Sequence, residues 1–120
     1  MKKILFIEDE LALQKTLGSK LEKKGYEILK AMDGEKGIEV AKKEIPDLIL
    51  LDIILPKKNG FEVLKELRET KTTENIPVII LTNLEGTKEV EQALNLGATT
   101  YLVKINYSLD EVIKKIEKIF

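Results

Sequence analysis

Short apolar runs alternate with amphipathic segments five times along the chain. Each run is apolar at consecutive positions and not at every second one, a pattern typical of strands that are covered on both faces. The first amphipathic segment carries Leu13, Leu17 and Leu21 at helical spacing, and the later segments repeat that spacing. The predicted strands cover residues 4–7, 26–31, 48–51, 78–81 and 101–103, and the predicted helices lie around 13–21, over 33–44, 60–69 and 87–97, and after residue 108.

Residues with known roles at helix ends mark the boundaries of these segments. Gly25 and Gly97 follow the first and fourth segments, where glycine accommodates the left-handed backbone that ends many helices. Ser108 and Glu111 form a capping-box pattern ahead of the apolar positions of the last segment. The signals predict separate helices that are joined to the strands by short connections.

Five strand–helix units with short connections predict a parallel sheet with helices on both faces. Five units are too few to close an eight-stranded barrel, so we expect an open, doubly wound sheet. The 120 residues contain no linker, repeat or low-complexity segment. The expected architecture is therefore one α/β domain over residues 1–120.

Composition narrows the range of functions. Cysteine and histidine are absent, which excludes disulfides, thiolate chemistry and the commonest transition-metal ligand. Lys+Arg 20 against Asp+Glu 21 leaves a net charge of -1, and the lysine pairs are scattered, so we expect no direct nucleic-acid binding by this domain. No apolar stretch approaches the roughly 20 residues of a membrane span. We expect a cytoplasmic protein with no membrane contact.

One carboxylate stands at the end of an otherwise aliphatic stretch. Asp52 directly follows the run Leu48–Leu51, and an ionised carboxylate in an apolar interior is costly unless it is paired or binds a metal. In an open parallel sheet, ligands bind beyond the carboxyl ends of the strands. The residues that follow the other runs are therefore candidate partners: Glu8 and Asp9 after the first run, Thr82 after the fourth and Lys104 after the fifth.

If these strands are neighbours, three carboxylates, a hydroxyl and an ammonium converge on one crevice. Grouped carboxylates repel one another, and a hard cation such as Mg²⁺ relieves the repulsion. The Asp52 carboxylate can then attack phosphorus and form an aspartyl phosphate. Each residue alone also has a simpler role, Asp9 as a helix cap, Thr82 as a strand-end residue and Lys104 as a surface lysine.

The assembled pattern resembles the receiver domain of bacterial two-component response regulators, in particular the single-domain chemotaxis regulators. The resemblance rests on "FIEDE", "LILLDIILPKKNG", "PVIILTN" and "GATTYLVK", and it extends over nearly the whole chain. It implies a flavodoxin-like fold with a five-stranded parallel sheet in the order 2-1-3-4-5 and five helices. It also implies a sensor histidine kinase or a phosphotransfer protein as phosphodonor, and a downstream protein target or a C-terminal output domain as the receiver of the signal.

The resemblance further implies roles for individual residues, with Asp52 as the phosphoacceptor. The implied ligands of Mg²⁺ are Glu8, Asp9, Asp52 and the main-chain carbonyl of Ile54. The implied phosphate-binding and switch residues are Thr82, Asn83 (main-chain amide), Tyr101 and Lys104. Signalling would proceed through the surface of the fourth helix, the fifth strand and the fifth helix. No reaction is expected beyond the protein's own phosphorylation and dephosphorylation.

One position departs from the family pattern. Receivers usually have a proline after the lysine, with a cis peptide bond, and this chain has Ile105 there. A cis bond before a residue other than proline costs roughly 3 kcal/mol, so we expect a trans Lys104–Ile105 bond. We expect the loop over residues 104–108 to rearrange, with Lys104 pointing less firmly at Asp52 and with Ile105 or Tyr107 exposed.

Three other functions fit parts of the pattern. A flavodoxin-like nucleotide binder needs a Ser/Thr/Gly-rich phosphate loop after the first strand, where this chain has the acidic "EDELAL". A phosphatase with an aspartyl nucleophile needs a second acid two residues further on, where Ile54 stands. The alternative left open is a degenerate receiver that acts as a phosphorylation-independent protein-interaction module, which the intact candidate residues disfavour.

Overall fold

A five-stranded parallel sheet forms the centre of the computed structural model, which describes all residues 1–120. The strands are β1 Lys3–Ile7, β2 Glu27–Ala31, β3 Leu48–Leu51, β4 Val78–Thr82 and β5 Thr100–Val103. Their spatial order is β2-β1-β3-β4-β5, and every neighbouring pair is parallel. The expected doubly wound fold and strand order are therefore confirmed, and β3 lies in the middle of the sheet.

Five helices connect the strands. They are α1 Leu11–Lys23, α2 Gly34–Glu44, α3 Gly60–Glu69, α4 Thr87–Asn95 and α5 Leu109–Ile119, and a short 3₁₀ helix covers Lys104–Asn106 between β5 and α5. Gly25 and Gly97 have the left-handed φ values of 98° and 102° that were expected after α1 and α4. Ser108 and Glu111 form the predicted capping box. No helix combines the length and the apolar character that crossing a membrane requires.

Alternate residues of each strand supply two hydrophobic layers, one on each face of the sheet. On β3, Leu48 and Leu50 pack with residues of α1 and α5, whereas Ile49 and Leu51 pack with residues of α2, α3 and α4. All four side chains are fully buried, and burying each contributes roughly 1.5–3 kcal/mol. Because helices cover both faces, the strand sequences are apolar at consecutive positions.

The C-terminal end of α4 is tied to α3 by one side chain. α4 buries only Ala93, so few apolar contacts hold this helix on the sheet. The Arg68 guanidinium of α3 donates to the Gly97 carbonyl from Nε at 3.1 Å and from Nη2 at 2.8 Å. Its Nη1 donates to the Thr73 carbonyl at 3.4 Å. The left-handed turn at Gly97 is thereby fixed against α3.

We expect Arg68→Ala to lower the free energy of unfolding by about 1–3 kcal/mol, because hydrogen bonds to a charged group contribute about that much. Urea unfolding followed by circular dichroism measures the change. Lys65→Ala is the matched control, since Lys65 lies on the same helix, is exposed and makes no ion pair. Equal unfolding midpoints for the two variants would show that Arg68 does not tie α4 down.

Candidate functional site

The strand order brings four strand ends to one edge of the sheet. β1, β3, β4 and β5 are consecutive neighbours, so the last residues of these strands and those just after them lie at the same carboxyl edge. β2 lies outside β1 and ends at Ala31, without a functional side chain. The residues at this edge are the ones that the sequence predicted: Glu8, Asp9, Asp52, Thr82 and Lys104.

Asp52 emerges from the centre of the sheet and is only 4% exposed. Its N–H donates to the Ile7 carbonyl of β1 at 3.1 Å, which extends the sheet to this residue. Its Oδ1 accepts from the Ile54 N–H at 3.2 Å, and its Oδ2 accepts from Lys104 Nζ at 3.0 Å. A Cβ at Gly60 would collide with the main-chain carbonyl oxygen of Asp52 and with Ile53, so only glycine lets α3 begin this close to the main chain after β3.

Carboxylates surround the ammonium of Lys104, whose side chain is 12% exposed. Lys104 Nζ lies 2.9 Å from Glu8 Oε1, 3.0 Å from Asp52 Oδ2 and 3.4 Å from Glu10 Oε1. Burial by itself lowers the pKa of a lysine, but the Glu8 and Asp52 carboxylates outweigh it and hold the pKa of Lys104 above its ordinary value. Lys104 therefore keeps its positive charge at neutral pH.

Glu8 is fully buried and incompletely hydrogen-bonded. Its Oε2 accepts from the Glu10 N–H at 3.0 Å. Its Oε1 makes no hydrogen bond, because the 2.9 Å contact with Lys104 Nζ has unsuitable angles and is an ion pair only. Burial raises the pKa of Glu8 to about 7, against the opposing effects of Lys104 and of the Glu10 amide. Glu8 Oε1 therefore has the Lys104 ammonium as its only charged neighbour and keeps lone pairs that a cation could use.

Glu8, Asp9 and Asp52 form a group that could hold a metal ion. One oxygen atom of each lies within 4.8 Å of the others, and Asp9 is exposed where the other two are buried. The main chain of Ile54 lies beside this group, since its N–H bonds Asp52, and its side chain is exposed. Mg²⁺ uses one or two carboxylates and keeps several waters, so oxygen ligands with one open side fit that ion.

The main chain of Leu84 joins the ends of β4 and β5. Thr82 is fully buried, and its Oγ1 accepts from the Leu84 N–H at 3.3 Å. The Tyr101 hydroxyl donates to the Leu84 carbonyl at 2.6 Å. Burial first, and then the charges of Glu89 and Asp52, raise the pKa of Tyr101. Asn83, between Thr82 and Leu84, has an exposed side chain, and the sequence did not predict that Leu84 bridges the two strand ends.

The structure of the loop after Lys104 confirms some of the expectations drawn from the sequence and contradicts one. The structure contains no cis peptide bond, so the expected trans Lys104–Ile105 bond is confirmed, and Ile105 is exposed as expected, at 77%. The expectation that Lys104 points less firmly at Asp52 is wrong, since their charged atoms lie 3.0 Å apart. Residues 104–106 turn into a 3₁₀ helix, and the buried carboxylates of Glu8 and Asp52 hold the ammonium although Ile105 follows it.

Sequence reasoning missed two residues that support the site. Gln14 is buried on α1, and its Nε2 lies 3.2 Å from the carbonyl oxygens of both Glu8 and Ala31, so it holds the loop after β1. The signal was available, because Gln14 lies one turn before Leu17 on the buried stripe of α1. Glu10, the second missed residue, gave no sequence signal, since nothing local indicates that it reaches Lys104.

Curated relatives match almost the whole chain. "DNA-binding dual master transcriptional regulator RpaA" of Synechocystis is 38% identical over 116 residues, which are 97% of this chain and 48% of that protein. "Transcriptional regulatory protein CiaR" of Streptococcus pneumoniae is 42% identical over 117 residues, which are 98% of this chain and 50% of that protein. The chain therefore spans about half the length of these two relatives.

Solved structures share the whole fold. The chemotaxis response regulator CheY4 of Vibrio cholerae superposes with a TM-score of 0.92 at 27% identity, covering 100% of this chain and 99% of that one. The BeF3-activated N-terminal receiver domain of Klebsiella pneumoniae RstA gives a TM-score of 0.88 at 28% identity, with coverages of 97% and 96%. The sequence profile of the family "Response regulator receiver domain" matches residues 4–117. The chain belongs to the response regulator receiver domain family of two-component systems.

Proposed function

We propose that this receiver domain is a phosphorylation-activated switch that accepts a phosphoryl group on Asp52. One observation carries the proposal: the buried Asp52 carboxylate lies 3.0 Å from a lysine ammonium, in a group of acids that could hold a cation. A surface aspartate would have neither neighbour. We also propose that the domain catalyses no reaction other than its own phosphorylation and dephosphorylation.

The proposed reaction is a direct phosphoryl transfer. An Asp52 carboxylate oxygen forms a bond to phosphorus while the bond from phosphorus to the donor's imidazole nitrogen breaks. The electron pair of the broken bond stays on the imidazole, which leaves. Lys104, 3.0 Å from Asp52 Oδ2, is placed to pair with the phosphoryl oxygens, as positioning and charge neutralisation dominate such reactions.

Glu8, Asp9, Asp52 and the main-chain carbonyl of Ile54 would hold Mg²⁺ in this site. When bound, the ion supplies positive charge that neutralises the phosphoryl oxygens. The Oε1 of Glu8 supports this assignment, because it is buried and makes no hydrogen bond, with an ion pair to Lys104 as its one polar contact. Oxygen ligands and an exposed Asp9 also suit a hydrated ion better than a fully enclosed one.

The proposed switch connects the phosphoryl group to the face made by α4, β5 and α5. The Thr82 hydroxyl and the Asn83 main-chain amide would donate hydrogen bonds to the phosphoryl group. Movement of the Thr82 hydroxyl toward that group would stretch the 3.3 Å hydrogen bond that it now accepts from the Leu84 N–H. The Tyr101 hydroxyl is held by the carbonyl of the same residue, so its position depends on where Leu84 lies. Phosphorylation would shift a population that already exists in the free protein.

The proposed partners follow from the family and from the length of the relatives. A sensor histidine kinase or a phosphotransfer protein would supply the phosphoryl group. A downstream protein or an output domain would read the α4-β5-α5 face, as the two relatives named as transcriptional regulators are about twice as long as the matched segment. Direct nucleic-acid binding by this domain is not part of the proposal.

Asp52→Asn should abolish phosphorylation, because the amide is not a nucleophile for phosphorus. Incubation with acetyl phosphate and Mg²⁺ should add one phosphoryl group to the wild type, as measured by intact-protein mass spectrometry. Asp110→Asn, an exposed aspartate on α5, is the matched control and should be phosphorylated normally. A phosphoryl group on the Asp52→Asn variant would mean another acceptor, and an unmodified wild type would favour the phosphorylation-independent module.

The affinity for Mg²⁺ should rise with pH and level off above the pKa of Glu8, about 7, because the ion favours the ionised carboxylate. Calorimetric titration at several pH values on both sides of neutrality measures this dependence. Glu8→Gln should flatten it, and Asp9→Asn should weaken binding at least about tenfold, the loss that removal of even an outer-shell partner causes. Glu22→Gln, on the exposed face of α1, is the control, and Mg²⁺ affinity equal to wild type in Asp9→Asn would refute the assignment.

Phosphorylation should move the NMR signals of residues 82–90 and 99–107, because Leu84 links Thr82 to Tyr101. Beryllofluoride with Mg²⁺ serves as a stable substitute for the phosphoryl group. Thr82→Ala should reduce these shifts strongly while leaving the signals near Asp52 responsive, and the exposed Thr72→Ala should leave both unchanged. Unmoved signals in both segments of the wild type would place the switch elsewhere.

A further inference from the structure

Lys104 has one carboxylate partner that lies outside the metal-binding group. Glu8 and Asp52 belong to that group and are buried, whereas Glu10 does not belong to it and its side chain is 56% exposed. Glu10 Oε1 lies 3.4 Å from Lys104 Nζ. A cation bound by that group would engage Glu8 and Asp52. Glu10 would then be the one carboxylate partner of Lys104 that the cation does not engage.

The Glu10 side chain does not cap the helix that follows it. Glu10 is the N-cap of α1, but its side chain accepts no hydrogen bond from the helix. The N-caps of α2, α3 and α5 are Asp33, Asn59 and Ser108, and each accepts such a bond. Glu10 instead reaches across the crevice to Lys104, so this carboxylate serves the site and leaves α1 uncapped by a side chain.

We propose that Glu10 is a positioning residue that restrains Lys104 in the resting domain and slows its phosphorylation by anionic donors. The inference rests on the proposed function of Asp52 as phosphoacceptor. An incoming phosphoryl group competes with Glu10 for the Lys104 ammonium, because both are anions that pair with the same cation. The Glu10 carboxylate then lies close to the negatively charged phosphoryl group, and the two negative charges repel each other.

With acetyl phosphate as the donor, the phosphoryl transfer to Asp52 proceeds as one displacement at phosphorus. An Asp52 oxygen forms the new bond to phosphorus, and the bond between phosphorus and the acetyl oxygen breaks with its electron pair on the departing acetate. Lys104 moves from Glu10 to a phosphoryl oxygen and keeps its proton throughout. Glu10 takes no part in bond making, so its effect is on the approach of the donor and on the freedom of Lys104.

Glu10→Gln removes the charge and keeps the shape, and we expect it to speed phosphorylation by acetyl phosphate. The expected gain is roughly two- to fivefold, the range that one exposed ion pair accounts for. The rate is measured at saturating Mg²⁺ from the mass-resolved fraction of phosphorylated protein. Glu22→Gln is the matched control, with the same charge change on an exposed part of α1 and no ion pair, and its rate should equal the wild type.

Two further measurements separate this role from a structural one. The increase in phosphorylation rate of Glu10→Gln over the wild type should disappear near 1 M salt, where the screening length is about 3 Å. It should also be larger for acetyl phosphate than for phosphoramidate, which carries less negative charge. A change in folding would not depend on the charge of the donor, and the free energy of unfolding of the variant in urea should fall by no more than about 1 kcal/mol, the contribution of one exposed ion pair.

The outcomes distinguish this proposal from the one on which it rests. A wild type that accepts no phosphoryl group overturns both. A phosphorylated wild type with an unchanged or slower Glu10→Gln variant overturns the role of Glu10 alone, and a slower variant would mean that Glu10 aims Lys104 productively. A Glu10→Gln variant that is phosphorylated faster, but by a factor that depends neither on salt nor on the charge of the donor, also overturns the proposed role of Glu10.

Discussion

The ammonium of Lys104 holds together charges that the sheet forces into one crevice. β1 and β3 are neighbours, so their ends bring Glu8 and Asp52 into a buried position where neither can be left ionised and alone. Removing one partner of a buried ion pair typically costs about 3–5 kcal/mol, because the other charge stays buried. The same ammonium neutralises Asp52 in the fold and, under the proposed function, would pair with a phosphoryl oxygen.

The cost of burying Glu8 falls in the same place as its capacity to bind a cation. Glu8 Oε1 has an ion-pair neighbour but no hydrogen bond, and its raised pKa reflects the cost of burying it. A protein built for stability alone would bury an apolar side chain there. Two other residues also support the site more than the core. Gly60 leaves room for the main chain of Asp52, and the buried amide of Gln14 donates to the Glu8 carbonyl in the loop after β1.

The predictions that succeeded depend on local physical chemistry. The run Leu48–Leu51 predicts a strand covered on both faces because each residue must find an apolar layer, and the structure provides one on each side. Gly25, Gly97 and the Ser108 cap mark helix ends through backbone conformation and local hydrogen bonds, which do not depend on distant residues. The prediction that failed, a loosened Lys104, judged the lysine by its neighbour Ile105 alone.

The sequence by itself determined the five strand–helix units and the polar residue at each strand end. Strand periodicity, caps and strand-end position are local properties, and parallel strands end at one edge. Glu8, Asp9, Asp52, Thr82 and Lys104 would therefore form a single site if their strands were neighbours, an order that was predicted only through the family resemblance and that the fold confirms. Only the tertiary structure decided which carboxylates reach Lys104, that Glu10 is one of them, and that Leu84 joins Thr82 to Tyr101. These contacts depend on the direction of side chains from elements far apart in sequence, and on the burial that packing imposes on each charge.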